Sequence, residues 1–355
     1  MLSIVLVAPT APTKVFFLLG QSNMEGQGIV NISDGHNASG NGTLEFAVKN
    51  KPSAGMPAYD TMEAASHREG CVAKGADLDE LVASDGSWQT WPSVTVDYFG
   101  KVGDDWGMVH PRGPLSVGFG VNEQRGVGPE LGFGVEMAKH FGEDKDVLLL
   151  KVAWGGTSLA QDWRPPSSVA KYGGAVGWCY SNFTEHAHAA LKQLDSYELA
   201  GMVWHQGWND GCSYDDVAEY ERNLANLIGD IRREFKVPQL KVSIPVSGMD
   251  SWRGTVDRRN GVIHAQYAVS QYTNLTLGTV GAQETRGFVR FFDETGGACN
   301  QGYHYNCNGE SYYYVGSVAG QCMAALLDGT WKQPYINTTN PSVAELKGEV
   351  VVEES

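Results

Sequence analysis

Short, continuous apolar segments recur along the chain, separated by polar stretches rich in turn residues. Such segments are typical of strands covered on both faces, because a strand with one exposed face alternates apolar and polar residues. The segments are Val15–Leu19, Val147–Val152, Leu199–His205, Leu240–Val246 and Leu277–Val280. They predict the buried strands of a parallel sheet.

Helical patterns precede and follow most of these strands. In Asp215–Phe235 the apolar residues recur at spacings of three and four, which places them on one helix face. The other predicted helices are Pro129–His140, Phe183–Leu194, Asp257–Tyr272 and Gly309–Leu327. Because strands alternate with helices, the pattern predicts an α/β fold with helices on both faces of the sheet. Catalytic groups of such folds lie beyond the carboxyl ends of the strands.

The stretch from Gly26 to Arg125 breaks this alternation and is rich in Gly, Asn, Asp and Ser. A loop of that length without secondary structure is rare in a compact domain. We therefore predict an insertion at residues 30–125 with short elements of its own, packed near the active-site rim. It either shapes substrate binding or is a solvated, glycan-bearing decoration. We predict a single domain over residues 13–333, which includes the insertion. A C-terminal tail follows at residues 334–355.

Charge and composition exclude several classes of protein. Lys and Arg total 26 and Asp and Glu total 41, so the formal net charge of the 355 residues is −15. A chain this acidic repels phosphate, so we expect no nucleic-acid partner. No apolar run reaches the roughly 18 residues that span a membrane. The 10 Trp and 15 Tyr residues suit stacking on sugar rings, but they are equally ordinary in a protein core.

Six cysteines and an excess of Asn-x-Ser/Thr sequons favour a secreted or secretory-pathway glycoprotein. The sequence leaves the pairing open, although Cys299 and Cys307 are close enough along the chain to form a local disulfide. No spacing of cysteine and histidine is typical of a zinc site, so no metal is expected.

The first of four polar motifs is Gly20-Gln21-Ser22-Asn23-Met24, directly after the first strand. A sharp turn after a small residue exposes the serine hydroxyl at the edge of the sheet. It also points backbone N–H groups at an incoming oxyanion. Taken alone, Ser22 is equally well explained as a helix cap.

The next two motifs also follow strand ends. In Trp154–Ser158, paired glycines let the backbone approach a ligand, and the N–H of Gly156 is a candidate oxyanion donor. In His205–Asp210, the side-chain amide of Gln206 or Asn209 is a further candidate donor. Ordinary turn chemistry explains either motif when it is taken alone.

A late Tyr-His-Tyr around His304, just before the last helix, completes the set. Together the four motifs resemble those of the SGNH hydrolase superfamily. More narrowly, they resemble the sialate O-acetylesterase-like group, which includes acetylxylan esterases of carbohydrate esterase family six. The resemblance spans about Val15–Leu327. It implies a three-layer α/β/α sandwich of the flavodoxin-like type and serine esterase chemistry without a metal or organic cofactor.

The same resemblance assigns roles to particular residues. Ser22 is the expected nucleophile, and His304 is the expected general base, with a pKa near the ordinary value of about 6.5. The backbone N–H groups of Ser22 and Gly156, with the amide of Asn209 or Gln206, are expected to hold the oxyanion. An acyl-enzyme at Ser22 then releases acetate to water.

Two departures concern the group that orients the histidine. The Asp that the family carries three residues before the His is Gln301 here, and a Glu frequent in the third motif is Trp208. Three explanations stay open: another carboxylate reaches His304, the site is a Ser–His dyad oriented by Gln301 or a backbone carbonyl, or it is degenerate and only binds glycan. The candidate carboxylates are Asp210, Asp293, Glu294 and Glu310.

The expected function is a secreted carbohydrate O-acetylesterase. Because the chain is acidic, a neutral acetylated polysaccharide is favoured over a strongly anionic glycan. The alternatives are a catalytically degenerate glycan-binding protein on the same scaffold and an esterase for another acyl group or a non-sugar ester.

Overall fold

The computed structural model describes residues 11–35, 40–50, 77–101, 108–109, 111–121, 126–249, 251, 257–272, 275, 278–290 and 297–332. The strands are β1 (Thr13–Gly20), β2 (Gly28–Ile29), β3 (Trp91–Lys101), β4 (Met108–Val109), β5 (Arg112–Leu115), β6 (Gly126–Val127), β7 (Val147–Ala153), β8 (Tyr197–His205), β9 (Lys241–Pro245) and β10 (Val280–Gln283). The helices are α1 (Ser22–Glu25), α2 (Leu44–Asn50), α3 (Pro129–Phe141), α4 (Pro166–Tyr172), α5 (Trp178–Leu191), α6 (Tyr214–Glu234), α7 (Asp257–Val269) and α8 (Gly309–Leu327).

One large sheet organises the molecule. Its strand order is β10-β9-β8-β1-β7-β3-β4, and β5 also pairs with β3. The strands from β10 to β3 run parallel, whereas β4 and β5 are antiparallel to β3. The short strands β2 and β6 pair separately. The predicted α/β fold with a central parallel sheet is therefore confirmed.

Helices cover both faces of this sheet, and strand β1 shows why. Successive side chains of a strand point to opposite faces. Phe17 and Leu19 pack into a core shared with α5, α6 and α7, whereas Phe16 and Leu18 pack into a second core with α3 and α8. All four side chains are buried. Burial of such a side chain stabilises the fold by about 1.5–3 kcal/mol, so the two cores hold β1 between the helical layers.

The predicted insertion at residues 30–125 needs correction, because it contains strand β3. This strand pairs with β7 in parallel, from Val94 opposite Val147 to Gly100 opposite Ala153. Polar Thr95 and Asp97 alternate with apolar neighbours, so the segment lacks the continuous apolar run that marks the other parallel strands. The remaining predicted strands and helices are present, with ends shifted by a few residues. The domain limits of 13–333 stay a prediction, and the tail at 334–355 lies outside the described residues.

Cys299 and Cys307 form a disulfide, as predicted. Cys71 lies outside the described residues. Among the helices of the described ranges, none has both the length and the apolar character needed to cross a bilayer.

Candidate active site

Ser22 lies where β1 ends and is the first residue of the short helix α1. Gly20 lets β1 lie close to β8: a Cβ at Gly20 would lie 2.1 Å from the carbonyl oxygen of His205, so a larger residue would push the two strands apart. Gln21 is extended, and the chain then turns at once into α1. The hydroxyl-bearing residue therefore lies at the carboxyl edge of the sheet.

The glycine loop after β7 packs against Ser22. A Cβ built on Gly155 would lie 3.6 Å from the Ser22 Cβ. Gly156 has a φ of +71°, in the left-handed region that favours glycine. Within the described ranges, neither Ser22 nor Gly156 donates its backbone N–H to another residue. Both N–H groups are therefore free to serve a bound oxyanion.

Gln21 links the first motif to the third, a role that the sequence reasoning missed. Its buried Oε1 accepts hydrogen bonds from the backbone N–H groups of Gly207 (3.1 Å) and Asn209 (3.3 Å) and from Nε2 of Gln206 (3.1 Å). The only sequence signal was an amide directly before Ser22. These bonds fix the position of the third motif relative to the turn Gly20–Met24, which carries Ser22 and is called the nucleophile turn below.

Gln206 does not fit the predicted role of oxyanion donor. Its buried Nε2 lies 3.0 Å from the carbonyl oxygen of Thr157, 2.6 Å from Oδ2 of Asp210 and 3.1 Å from Oε1 of Gln21. An amide nitrogen has two protons, so these acceptors occupy both of them. Gln206 instead joins the loops after β7 and β8.

Asp210 does not fit the predicted role of partner to His304. Its buried carboxylate accepts hydrogen bonds from the backbone N–H groups of Leu159 (2.9 Å) and Ala160 (3.0 Å), as well as from Gln206. Burial raises the pKa of Asp210 to about 7, in spite of these donors. The residue fastens the glycine loop to the third motif.

Asn209 is the amide that remains for the oxyanion. It is half-buried, and in the described part of the chain its side chain makes no hydrogen bond. Gln21 holds its backbone N–H at 3.3 Å. Of the two amides that the sequence left open, only Asn209 thus has donor protons to offer a ligand.

His304 has a neutral hydrogen-bond partner. Its Nδ1 lies 2.9 Å from Oε1 of Gln301. Because a carbonyl oxygen only accepts, Nδ1 carries the proton, and Nε2 keeps its lone pair to act as a base. Burial lowers the pKa of His304 to about 4, well below the value of about 6.5 expected from the sequence.

The other candidate carboxylates do not replace Gln301 within the described residues. Oε1 of Glu310 accepts a hydrogen bond from Nε of Arg290 at 2.7 Å, and both side chains are buried. Asp293 and Glu294 lie outside the described residues. Within the described residues, the hydrogen-bond partner of Nδ1 is thus Gln301, at the position where the family carries the Asp.

Gln301 and His304 both lie in a turn that a disulfide closes. Gln301 and His304 lie between Cys299 and Cys307, which the disulfide joins. Tyr305, Asn306 and Cys307 have φ of 51°, 51° and 57°. Each left-handed non-glycine residue costs about 1–3 kcal/mol, and the disulfide helps to hold the three in place.

Asn23 connects the nucleophile turn to the turn Gly302–Cys307, which carries His304 and is called the histidine turn. Its Nδ2 donates to the carbonyl oxygen of Tyr303 at 2.9 Å, and its Oδ1 accepts from the hydroxyl of Tyr312 at 2.6 Å. That hydroxyl oxygen also lies 3.2 Å from the carbonyl oxygen of His304. In the described ranges no hydrogen bond joins the Ser22 hydroxyl to the His304 ring, and such catalytic bonds are often long before substrate binds.

The parallel sheet and the Ser, Gly, Asn and His motifs at one edge define a protein of the SGNH hydrolase class. A family model described as "carbohydrate esterase, sialic acid-specific acetylesterase" matches residues 92–278, just over half of the chain. The chain therefore belongs to this family of carbohydrate esterases. The matched stretch includes Gly156 and Asn209, whereas Ser22 and His304 lie outside it.

The chain is similar to several individual proteins. A probable carbohydrate esterase of Arabidopsis thaliana is 22% identical over 236 residues, which are 66% of this chain and 69% of the relative. The crystal structure of an Arabidopsis thaliana protein covers 88% of this chain and 98% of its own, with 17% identity and a TM-score of 0.52, and shares its fold. A carbohydrate acetylesterase from Xanthomonas citri aligns at 14% identity over 76% of this chain and 49% of its own, with a TM-score of 0.42.

Proposed function

We propose that this protein is a serine carbohydrate O-acetylesterase, which removes acetyl groups from an acetylated glycan. The observation that carries the proposal is the hydrogen bond from His304 Nδ1 to Gln301 Oε1, because it leaves Nε2 as a base. The hydrogen bond from Asn23 to Tyr303 fastens this histidine turn to the turn that bears Ser22. Membership of a carbohydrate esterase family supports the substrate class.

In the proposed first half-reaction, Ser22 Oγ attacks the acetyl carbonyl carbon while Nε2 of His304 takes the hydroxyl proton. The negative charge on the carbonyl oxygen is held by the backbone N–H groups of Ser22 and Gly156 and the side-chain amide of Asn209. The bond from the carbonyl carbon to the sugar oxygen then breaks. That oxygen takes the proton from His304, and the acetyl group stays on Ser22.

In the second half-reaction, water attacks the acetyl carbon while His304 Nε2 accepts a proton from it. The bond to Ser22 Oγ breaks, the proton returns to the serine, and acetate leaves. Gln301 supports both halves by holding the tautomer and the ring plane of His304. It brings no charge to the imidazolium, so its contribution is one of orientation.

Two further proposals concern the cellular location of the protein and the charge of its substrate. The disulfide Cys299–Cys307 supports a secreted or secretory-pathway location, since disulfides persist in oxidising compartments. The net charge of −15 supports a neutral acetylated glycan as substrate.

The test compares the wild type with Ser22→Ala on p-nitrophenyl acetate and on acetylated xylo-oligosaccharides. We expect Ser22→Ala to lose at least about 10³-fold in kcat, because the acyl-enzyme cannot form. Ser181→Ala, in helix α5, is the matched control and should keep wild-type rates. Equal rates for the wild type and Ser22→Ala would overturn the proposal. Binding of acetylated glycan without any hydrolysis would support a degenerate binding protein instead.

A parallel series of p-nitrophenyl esters tests the acyl group. An acetylesterase should lose kcat/KM as the chain lengthens from acetate to butyrate and beyond. Undiminished activity on the longer esters would contradict the assignment to acetyl groups.

A further inference from the structure

The histidine turn carries a solvent-exposed aromatic side chain, that of Tyr303. Tyr303 is 41% exposed, although it directly precedes His304, and its ring meets the His304 ring edge-on at 4.5 Å between centroids. Its backbone is held in place, because its carbonyl oxygen accepts the hydrogen bond from Asn23. A fixed and exposed ring at this position contributes little to the core and is available to a ligand.

Trp208 extends the aromatic surface into the third motif. Its ring centroid lies 5.8 Å from that of Tyr303. The guanidinium carbon of Arg259, a residue of α7, lies 3.8 Å from the centroid of the Trp208 indole. Stacking of this kind holds the indole in one orientation. Tyr303 and Trp208 therefore form a continuous wall that runs from His304 towards α7.

A shallow cleft, open in part to solvent, lies where this wall ends. It is lined by Trp208, Arg259, Asn260, Ile263, Ser247 and Ser251. Trp208 follows β8 and Ser247 follows β9, so the cleft continues along the carboxyl edge of the sheet, where ligands of open α/β sheets bind. Ser251 has a φ of +53°, a strained conformation of the kind found at ligand sites.

The chemistry of this surface suits a sugar. A pyranose ring presents an apolar C–H face, which packs on an aromatic ring, and a rim of hydroxyl groups, which need donors and acceptors. Tyr303 supplies the ring face and Asn260 an amide, and the oxygen of Ser247, whose proton is donated to Met249 Sδ at 3.7 Å, supplies an acceptor. Since Tyr303 touches His304, a sugar stacked on it places its ester oxygen near the base.

We propose that Tyr303 and Trp208, with the cleft beyond them, form a carbohydrate subsite that binds the glycan from which the acetyl group is removed. The proposal deepens the proposed function and rests on it for the reaction. The subsite extends from His304 across β8 to β9 and α7, and Tyr303 is its specificity-determining residue.

Binding is measured first, in the Ser22→Ala background, where turnover does not consume the probe. Titration with acetylated xylo-oligosaccharides should give a Kd about tenfold higher for Ser22→Ala/Tyr303→Ala than for Ser22→Ala, because the stacking contact is lost. Adding Tyr303→Phe should retain binding, since the ring face stays. Tyr197→Ala is the matched control: Tyr197 is 46% exposed but lies at the opposite, amino end of β8.

Kinetics are measured second, with Ser22 restored. Tyr303→Ala should raise KM for the oligosaccharide about tenfold more than it raises KM for p-nitrophenyl acetate, which lacks a sugar. Equal losses on both substrates, or an unchanged Kd in the titration, would overturn the subsite and leave the esterase proposal standing. Tyr303-dependent binding in a protein without esterase activity would have the opposite meaning, with the subsite supported and the proposed reaction wrong.

Discussion

Gln301 is the residue at which this site departs in chemistry from a Ser–His–Asp triad. Its Oε1 lies 2.9 Å from Nδ1 of His304 and fixes the tautomer, as a carboxylate would. An amide carries no charge, so it does not favour the protonated ring. With burial alone acting on it, the His304 ring has a pKa of about 4.

The pH dependence of activity follows from this pKa. In the proposed mechanism His304 is the general base and must be neutral, so activity is lost as the pH falls through its pKa in the free enzyme. We expect kcat/KM of the wild type on p-nitrophenyl acetate to stay level from pH 7 to about pH 5 and to fall near pH 4. An acid limb centred near the ordinary histidine value of about 6.5 would contradict the burial of a neutral ring.

Gln301→Glu should move that limb to higher pH, because a carboxylate at this position stabilises the imidazolium. Gln301→Ala should instead lower kcat by about 10- to 100-fold and leave the position of the limb nearly unchanged, since only orientation is lost. Gln193→Glu, at an exposed position after α5, controls for the added charge. If Gln301→Glu and Gln193→Glu gave the same profile, Gln301 would not face the base.

Other residues of the site show what the sequence could and could not predict. The resemblance to the family, which carries an Asp three residues before the His, singled out Gln301, and the structure adds its hydrogen bond to His304. Gln206 and Asn209 were indistinguishable, because both are amides in one polar loop. Only the acceptors around Gln206 separate the two, and two of them, Gln21 and Thr157, come from distant parts of the chain.

At the scale of elements, the turn Gly302–Cys307 before α8 is the most constrained piece of the site. The disulfide closes it, and the backbone N–H of Cys299 donates to the carbonyl oxygen of Asn306 at 3.0 Å. Sequence spacing predicted the disulfide. The run of left-handed residues had little sequence signal, because of the three only Asn306 is of a type that favours this region.

Removal of this constraint should affect catalysis more than substrate binding. We expect Cys299→Ser/Cys307→Ser to lose about 2–3 kcal/mol in the free energy of unfolding, measured by denaturant titration. In the variant that remains folded, kcat should fall with a smaller change in KM, because His304 no longer keeps its orientation. Cys212→Ser, at an exposed cysteine, controls for loss of a thiol. A folded double variant with wild-type kcat would contradict a positioning role for the disulfide.

Asp210 connects two other elements, the loops after β7 and β8. Asp210→Asn replaces an acceptor oxygen by a donor that faces backbone N–H groups, so we expect a loss of about 1–3 kcal/mol in the free energy of unfolding. The acid limb of His304 should stay in place, because Asp210 makes no hydrogen bond to the histidine ring in the described part of the chain. A shifted acid limb would instead make Asp210 a partner of the histidine.

At the scale of the whole molecule, the sequence predicted the layers of the fold but not all of its sheet. Continuous apolar runs revealed β1, β7, β8 and β9, because these strands are buried between two helical layers. Strand β3 alternates instead and carries a buried Asp97, so the same criterion passed over it. Pairing with β7 decides its place, and that contact joins parts of the chain far apart in sequence.

Buried histidines also give the whole molecule a dependence on pH. His205 is buried, its Nδ1 lies 3.0 Å from the carbonyl oxygen of Pro245, and in the described ranges its Nε2 has no hydrogen-bond partner. Burial lowers the pKa of His205 to about 4, below the unfolded value of about 6.5. The stability that this neutral ring contributes is complete above pH 6.5 and is lost as the pH falls towards 4. Asp210, whose pKa is raised to about 7, acts in the opposite direction over the same interval.

Replacing His205 and Asp210 one at a time separates their contributions to the pH dependence of the free energy of unfolding. Between pH 6.5 and 4, His205 alone should change the free energy of unfolding by up to about 1.4 kcal/mol per pH unit. Urea titrations of His205→Asn over this range should therefore show a slope against pH that is lower than the wild-type slope by about that amount. The offset at pH 7 reports the lost packing and the lost hydrogen bond to Pro245. Asp210→Asn should show the reverse, a slope steeper than that of the wild type, because the opposing carboxyl is gone. His188→Asn, at a half-buried position on α5 where Nε2 lies 2.7 Å from Oε1 of Glu234, controls for removal of an imidazole. Coincident slopes for the wild type and His205→Asn would mean that His205 binds its proton equally well in the folded and unfolded chains.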